Sequence, residues 1–295
     1  MISIIICSRK EKIDALLATN ISRTIGVPYE VIVIDNSENK YSIFQAYNIG
    51  VERSQGKILC FMHDDVFFHT DDWGLKVLAH FRDEETGAIG VAGTPYATKM
   101  PGSWWGGDLV NQQLFAENKV ISKTIGKSLG NGEIPKAPAV LLDGVWICIP
   151  KALFKNIKFT EEHLDGFHFY DIDICLQVIQ QGYKIFTVFD VLIEHPSIGN
   201  LNRQWIKNAL AINAIWSKKL PISASKMTTG QICNAEFNTL KEFSQIMIFN
   251  HYPANQVYWL VFSFFFRLKQ NFFYYKTPRN LAYLLIRYLT FQFKK

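Results

Sequence analysis

The sequence is poor in charge and in cysteine. Only 19% of its 295 residues are Asp, Glu, Lys or Arg, against 48% apolar residues. That balance excludes a disordered chain, a collagen and a coiled coil. The five cysteines (Cys7, Cys60, Cys148, Cys175, Cys233) are odd in number, widely spaced and form no C-x-x-C pair, which excludes a disulfide framework. Four stand in apolar runs, where a thiol behaves as a small hydrophobe, so a reducing compartment is expected. At roughly 150 residues per domain the length means one large domain or two. A chain of this size buries about 75% of its extended surface and needs no staples.

A long hydrophobic run is also missing. The longest, Val257 to Phe266, stops at Arg267 and falls far short of the ~20 residues of a spanning helix. Met1 to Cys7 is apolar but too short for the apolar core of a signal peptide, and no basic residue precedes it, so a cytoplasmic location is expected. Two phosphate-binding devices are absent as well. There is no G-x-x-x-x-G-K-[ST], and Cys7-Ser8-Arg9-Lys10 stands where a dinucleotide fold would carry G-x-G-x-x-G. A pyrophosphate, if bound, must be held by a metal ion and not by a glycine-rich loop.

Acidic residues are absent from His251 to Lys295, where Arg267, Lys269, Lys276, Arg279, Arg287, Lys294 and Lys295 supply seven positive charges. The whole chain carries +5, so residues 1–250 carry −2. A uniformly basic nucleic-acid binder is not distributed this way, and no nucleic-acid partner is expected.

What is present is an alternation of strand and helix patterns. Ile2–Cys7, Glu30–Asp35, Lys57–Met62 and Ala88–Gly93 read as short buried strands. Helical patterns fall between them, over Arg9–Ser22, over Tyr41–Ser54, and from an N-cap at Thr70 through Glu84. Such alternation predicts a parallel sheet covered on both faces. Tyr96 to Pro138 breaks it with a Gly- and Pro-rich stretch, a functional loop or an inserted hairpin. Strand patterns return at Ala139–Ile149, interrupted at Asp143-Gly144, and at Lys184–Ile193, with a helix over Asp171–Gln181 between them. A helix over Leu201–Ser217 leads to the basic, aromatic C-terminal region.

The ends of these strands carry the chemistry. Asp35 ends the second, Asp64 and Asp65 follow the third, and His195 follows the last. Ligands of an open parallel sheet bind outside the carboxyl ends of its strands, so these groups point to one site. Adjacent carboxylates such as Asp64-Asp65 need a cation to offset their repulsion, and a hard divalent ion bridging a phosphate meets that need. Two solvated acids in a turn are the plainer alternative.

Five segments together resemble a family 2-type glycosyltransferase of the GT-A fold. They are Ile4-Ile-Ile-Cys-Ser8, Glu30-Val-Ile-Val-Ile-Asp-Asn36, Ala46-Tyr-Asn-Ile-Gly50, Phe61-Met-His-Asp-Asp-Val66, and Phe169-Tyr-Asp-Ile-Asp-Ile-Cys175 with Gln181-Gly-Tyr-Lys184. They run in the family's order over roughly residues 1–200. The resemblance implies an α/β Rossmann-like GT-A domain over residues 1–217, with a mixed sheet flanked by helices, and a helical C-terminal region over 218–295. It implies a metal-dependent inverting hexosyltransferase of surface polysaccharide synthesis, using Mn²⁺ or Mg²⁺ and a nucleoside-diphosphate sugar, UDP first, as donor. The acceptor would be a saccharide or lipid-linked glycan.

Carried over residue by residue, the resemblance makes Asp171 the general base that takes the acceptor's proton. Ser8, Asp35, Asn48, Asp64, Asp143 and Gly144 line the donor, with Asp35 on the uracil ring. Asp65, His63 and His195 are the candidate metal ligands. The chain departs from the family's pattern where His63 opens the D-x-D triplet, where Cys7-Ser8-Arg9 replaces a proline and an aromatic, and where Tyr170 replaces the glutamate before Asp171. These changes leave a rival open, a nucleotide-sugar or glycan-binding protein on the same fold that has lost catalysis. A sugar-1-phosphate nucleotidyltransferase is disfavoured because the glycine-rich N-terminal loop with its lysine is missing.

Two features lie outside those motifs. Trp104 and Trp105 offer indole faces that stack on sugar rings, and Asp108 offers an acceptor for hydroxyls, so this loop is the candidate acceptor site. Two tryptophans closing the core are the alternative. The acid-free tail combines Lys and Arg with Phe, Tyr and Trp, the composition of a helix lying on an anionic membrane surface. A packed helical subdomain or a dimer face is the other reading.

Overall fold

Short β-branched runs build the centre of the molecule. The computed structural model describes residues 1–116, 119–123, 135–162, 164–196 and 199–267. Its first half runs β1 (Ile2–Ser8), α1 (Ala15–Thr24), β2 (Tyr29–Asp35), α2 (Ile43–Arg53), β3 (Ile58–Met62), β4 (Phe67–Phe68), α3 (Trp73–His80) and β5 (Thr86–Gly90). An excursion follows through β6 (Ala92–Thr94), β7 (Tyr96–Ala97), the hairpin β8 (Asn111–Ala116) and β9 (Lys119–Lys123), β10 (Lys136–Ala139) and β11 (Leu141–Leu142). The chain then returns through β12 (Trp146–Pro150), α4 (Tyr170–Gln180), β13 (Lys184–Val188) and β14 (Ile193–Glu194). It closes with α5 (Arg203–Trp216), β15 (Ile222–Ser223), α6 (Thr229–Phe249) and α7 (Ala254–Arg267).

The main sheet has seven strands in the order β10-β13-β5-β12-β3-β1-β2. β1 lies between β2 and β3, parallel to both, and four of its seven residues are isoleucines buried between two helical layers. α2 begins with a capping box in which Ser42 and Gln45 exchange hydrogen bonds. Its inner face sets Tyr47 against Phe61 and Phe159, at centroid distances of 5.0 and 5.2 Å. Burial of such a side chain stabilises the fold by about 1.5–3 kcal/mol.

The sheet is mixed, not parallel throughout. β12 runs antiparallel between β3 and β5, and β10 antiparallel to β13. Among its described residues the excursion over 92–142 carries no helical crossover, and it brings the chain back to the end of the sheet it left, so β12 runs the opposite way. The Gly- and Pro-rich stretch holds a hairpin that pairs in a second sheet, β11-β6-β8-β14-β4.

Two local expectations change. α3 starts at Trp73 after Asp72, and Thr70 does not cap it; the Thr70 hydroxyl accepts the Leu192 N–H instead, at 2.8 Å. Trp73 is fully buried and stacked on Phe68 at 4.2 Å, which sets where the helix begins. The helix ends at His80, whose Nε2 binds Asp190 at 2.9 Å. The strand pattern over Lys184–Ile193 is two strands. Phe189 N–H still bonds Pro135 at the end of the β10 ladder, but Leu192 turns to Thr70, so β14 leaves the main sheet for the second one.

The C-terminal helices pack on the same core. Trp205, Phe243 and Val257 belong to one buried cluster with Leu59, Phe61 and Ile147 of the sheet. β15 pairs with β7, and the buried Glu236 of α6 accepts hydrogen bonds from Tyr96 Oη and Lys99 N. No helix among the described residues is long and apolar enough to cross a membrane. The basic residues from Lys269 onward, which carry the expectation of an anionic membrane contact, lie outside the described residues.

Candidate functional site

One edge of the main sheet collects the reactive groups. β1 ends at Ser8 and β3 runs into His63, both at their carboxyl ends. β12, being antiparallel, begins at that edge: Trp146 pairs with Met62, and His63 N–H donates to Val145 C=O at 3.1 Å. Asp143 and Gly144 therefore lie beside His63, and α4 opens there as well. A cleft of about 1070 Å³ spans this edge.

The metal candidates converge. Ligand atoms of His63, Asp65 and His195 all lie within 4.8 Å of one another. His63 Nδ1 is 3.1 Å from His195 Nε2, which is 3.3 Å from Asp65 Oδ1. Burial, followed by the His195 charge, lowers the pKa of His63, which favours a neutral imidazole with a lone pair to offer. Asp64 points elsewhere and accepts the Ser8 hydroxyl at 2.6 Å.

Asp171 sits in the first turn of α4, behind Phe169, which holds a left-handed φ of 73° while packed on Trp205. Such a backbone conformation costs on the order of 1–3 kcal/mol and persists because the packing enforces it. The Asp171 carboxylate accepts the Gly144 N–H at 3.1 Å and the Ile172 N–H at 2.9 Å. Burial, then the nearby Asp143 carboxylate, pushes its pKa up to about 7. A carboxylate poised there takes a proton readily near neutral pH.

Of the donor residues, Ser8, Asp64, Asp143 and Gly144 line the cleft with Asn36. Asp35 ends β2 exposed, its carboxylate turned to Ser37 N–H at 2.9 Å, and is not among the lining residues. The Asn48 amide is committed to the backbone of Phe159, giving one hydrogen bond at 2.8 Å and accepting another at 3.0 Å. Asn48 thus ties α2 to the segment before α4. Arg9 and Lys10 line the cleft at the end of β1, where a phosphate would meet positive charge. They stand where the family's proline and aromatic are absent, which is the signal that marks them.

Trp104 and Trp105 both line the cleft, Trp104 buried and Trp105 partly exposed. Asp108 turns outward and pairs with Lys123 at 3.1 Å. The tryptophan loop is held by a residue that no local motif marks: Glu242 of α6 accepts Trp105 Nε1–H at 2.6 Å and the Ser103 hydroxyl at 3.0 Å. His168, whose pKa burial lowers, also borders the cleft.

A sequence model of the glycosyltransferase-like family matches residues 3–219. None of the curated proteins matches the chain. Among solved structures, the mannosyltransferase PcManGT from Pyrobaculum calidifontis, in complex with GDP-Man and Mn²⁺, is 12% identical. That comparison covers 98% of this chain and 86% of the other, with a TM-score of 0.49. GalNAc-T7 with UDP, GalNAc and Mn²⁺ is 14% identical over 66% of this chain and 42% of its own, with a TM-score of 0.48. TarS of S. aureus is 14% identical over 86% and 44%, with a TM-score of 0.43. The chain thus spans less than half the length of GalNAc-T7 and of TarS. The family match covers most of the chain and the elements from β1 through α5 that line the cleft, and the chain belongs to the glycosyltransferase-like family.

Proposed function

We propose that this chain transfers a sugar from a nucleoside-diphosphate donor to a hydroxyl of a saccharide or lipid-linked glycan, with inversion, in the synthesis of a surface polysaccharide. The observation that carries the reading is a proton-accepting carboxylate, Asp171, in the same cleft as the His63, Asp65 and His195 cluster. A pure binding site has no use for a positioned base.

Two imidazole nitrogens and one carboxylate within 4.8 Å fit a divalent ion, and this mixed N,O set suits Mn²⁺ better than Mg²⁺. His63, Asp65 and His195 would hold it, and a bound ion there supplies positive charge against the departing diphosphate. The remaining work belongs to the chain. Arg9 and Lys10 bring further positive charge to the phosphates. Trp104 and Trp105 offer apolar faces to the acceptor sugar. Asp171 takes the proton of the acceptor hydroxyl while its oxygen bonds the anomeric carbon and the bond from that carbon to the diphosphate breaks. With Asp171 as the base and the acceptor hydroxyl as the attacking group, the reaction is a single displacement, which inverts the anomeric centre.

The test is a panel of UDP-, GDP- and dTDP-sugars incubated with Mn²⁺ and oligosaccharide acceptors, reading nucleotide release and the anomeric configuration of the product by NMR. Release with one donor class, an inverted product, and loss of both in Asp171→Asn are expected. A product with retained configuration would overturn the single displacement, and no release from any donor would overturn the transfer itself.

A further inference from the structure

Tyr170 occupies the position where the family carries a glutamate, and it lies between the two halves of the site. Its phenol oxygen is 3.1 Å from His63 Nε2 and 2.9 Å from Gly144 C=O. Counting protons settles who gives and who takes. A carbonyl can only accept, so the single phenolic proton goes to Gly144. The phenol oxygen then has a lone pair to accept a proton on His63 Nε2. A neutral imidazole protonated at Nε2 has its lone pair at Nδ1, the atom 3.1 Å from His195 Nε2.

We infer that Tyr170 is a positioning residue for the cation site: its phenol oxygen accepts the Nε2 proton of His63 and keeps the Nδ1 lone pair aimed at the space shared with His195 and Asp65. The inference rests on the reading of those three residues as a divalent-cation site. Outer partners that fix the tautomer and orientation of a ligating histidine commonly strengthen metal binding.

The geometry leaves the phenol little freedom to do anything else. Tyr170 is buried, with its ring edge-on to Phe44 and Tyr47 at centroid distances of 6.4 and 5.3 Å. Gly144 faces the hydroxyl so closely that a Cβ there would come within 2.2 Å of it. A glutamate would bring a charge to this spot and compete for the same proton. Tyrosine supplies a neutral acceptor that still satisfies the Gly144 carbonyl.

The experiment has two readouts besides activity. In the metal-free wild type, long-range ¹H–¹⁵N correlation of the histidine rings, with His63 assigned by loss of its signals in His63→Asn, is expected to show the Nε2–H tautomer. In Tyr170→Phe, which keeps the ring and removes only the hydroxyl, Mn²⁺ affinity measured by EPR is expected to fall about 10- to 100-fold. Asp65→Ala and His195→Ala should each lower that affinity too. If they do and Tyr170→Phe does not, the cation site stands and the role of Tyr170 is overturned. An Nδ1–H tautomer in the wild type overturns it as well, and that reading does not depend on how Tyr170→Phe folds. If neither Asp65→Ala nor His195→Ala weakens Mn²⁺ binding, the site itself is wrong and the inference falls with it.

Discussion

The Asp171 carboxylate accepts the N–H of Gly144 at 3.1 Å, and this contact ties the first turn of α4 to the start of β12. It holds the base beside the cation cluster without neutralising it, because a backbone N–H is a dipole and not a charge. Asp171→Asn keeps an oxygen for Gly144 and nearly the same shape but cannot take a proton. Sugar transfer should fall by about 10²–10⁴-fold while donor affinity stays within about twofold. Initial rates and donor titrations on the two proteins measure this directly. Unchanged turnover would remove Asp171 from the mechanism.

The raised proton affinity of Asp171 has two consequences with opposite signs. Its pKa is about 7 in the folded chain, against an ordinary value of 3.8. The base works only when ionised, so the rate should climb with one-proton dependence below about pH 7 and level off above it. Stability goes the other way. The folded chain binds this proton more tightly than the unfolded one, so the contribution is complete below about pH 4 and is lost as pH rises through 7. Denaturation of wild type and Asp171→Asn across pH 4 to 8 should show the wild type losing ground to the variant as pH rises.

Gly144 has no room for a side chain. A Cβ at this position would lie 2.2 Å from the Tyr170 hydroxyl and 2.5 Å from the neighbouring ring carbon. Gly144→Ala must push the phenol away, and overpacking of this kind costs about 1–3 kcal/mol. A lowered unfolding midpoint is expected, together with weaker Mn²⁺ binding because the His63 partner moves. Thermal unfolding and EPR titration of the same preparation check both.

Glu242 brings α6 into the site. Removing its carboxylate in Glu242→Ala leaves Trp105 Nε1–H and the Ser103 hydroxyl without their acceptor. Hydrogen bonds to a charged group contribute about 1.5–3 kcal/mol, so the acceptor KM should rise about tenfold or more. Donor affinity should be unaffected, since Glu242 lies on the tryptophan side. A change confined to the donor would contradict this division of the cleft.

Much of the scaffold was legible in the sequence because it is local. Runs such as Ile2–Cys7 and Lys57–Met62 are β-branched or apolar and bounded by polar residues, and they form β1 and β3. The break at Asp143-Gly144 is visible as two turn residues inside an apolar run. The direction of β12 is not local: nothing in Trp146–Pro150 says which way it runs, and the excursion before it decides. The same limit applies to side chains. Asp35 follows a strand as a binding acid should, and its carboxylate accepts the Ser37 N–H in an Asx-type contact that no strand pattern shows. Glu242 lies 137 residues from Trp105, so only the packing of α6 against the tryptophan loop brings them together.

The proposed cation-dependent nucleotide site is built on Asp65 and its two histidines. Its most direct test is thermal unfolding of wild type and Asp65→Ala against UDP, GDP and dTDP, each with and without Mn²⁺. A ligand at 100 times its Kd adds about 2.7 kcal/mol, which moves the midpoint by several degrees in a chain of this size. One nucleotide is expected to give a shift that requires Mn²⁺ and disappears in Asp65→Ala. No shift with any nucleotide, or an equal shift in Asp65→Ala, would contradict it.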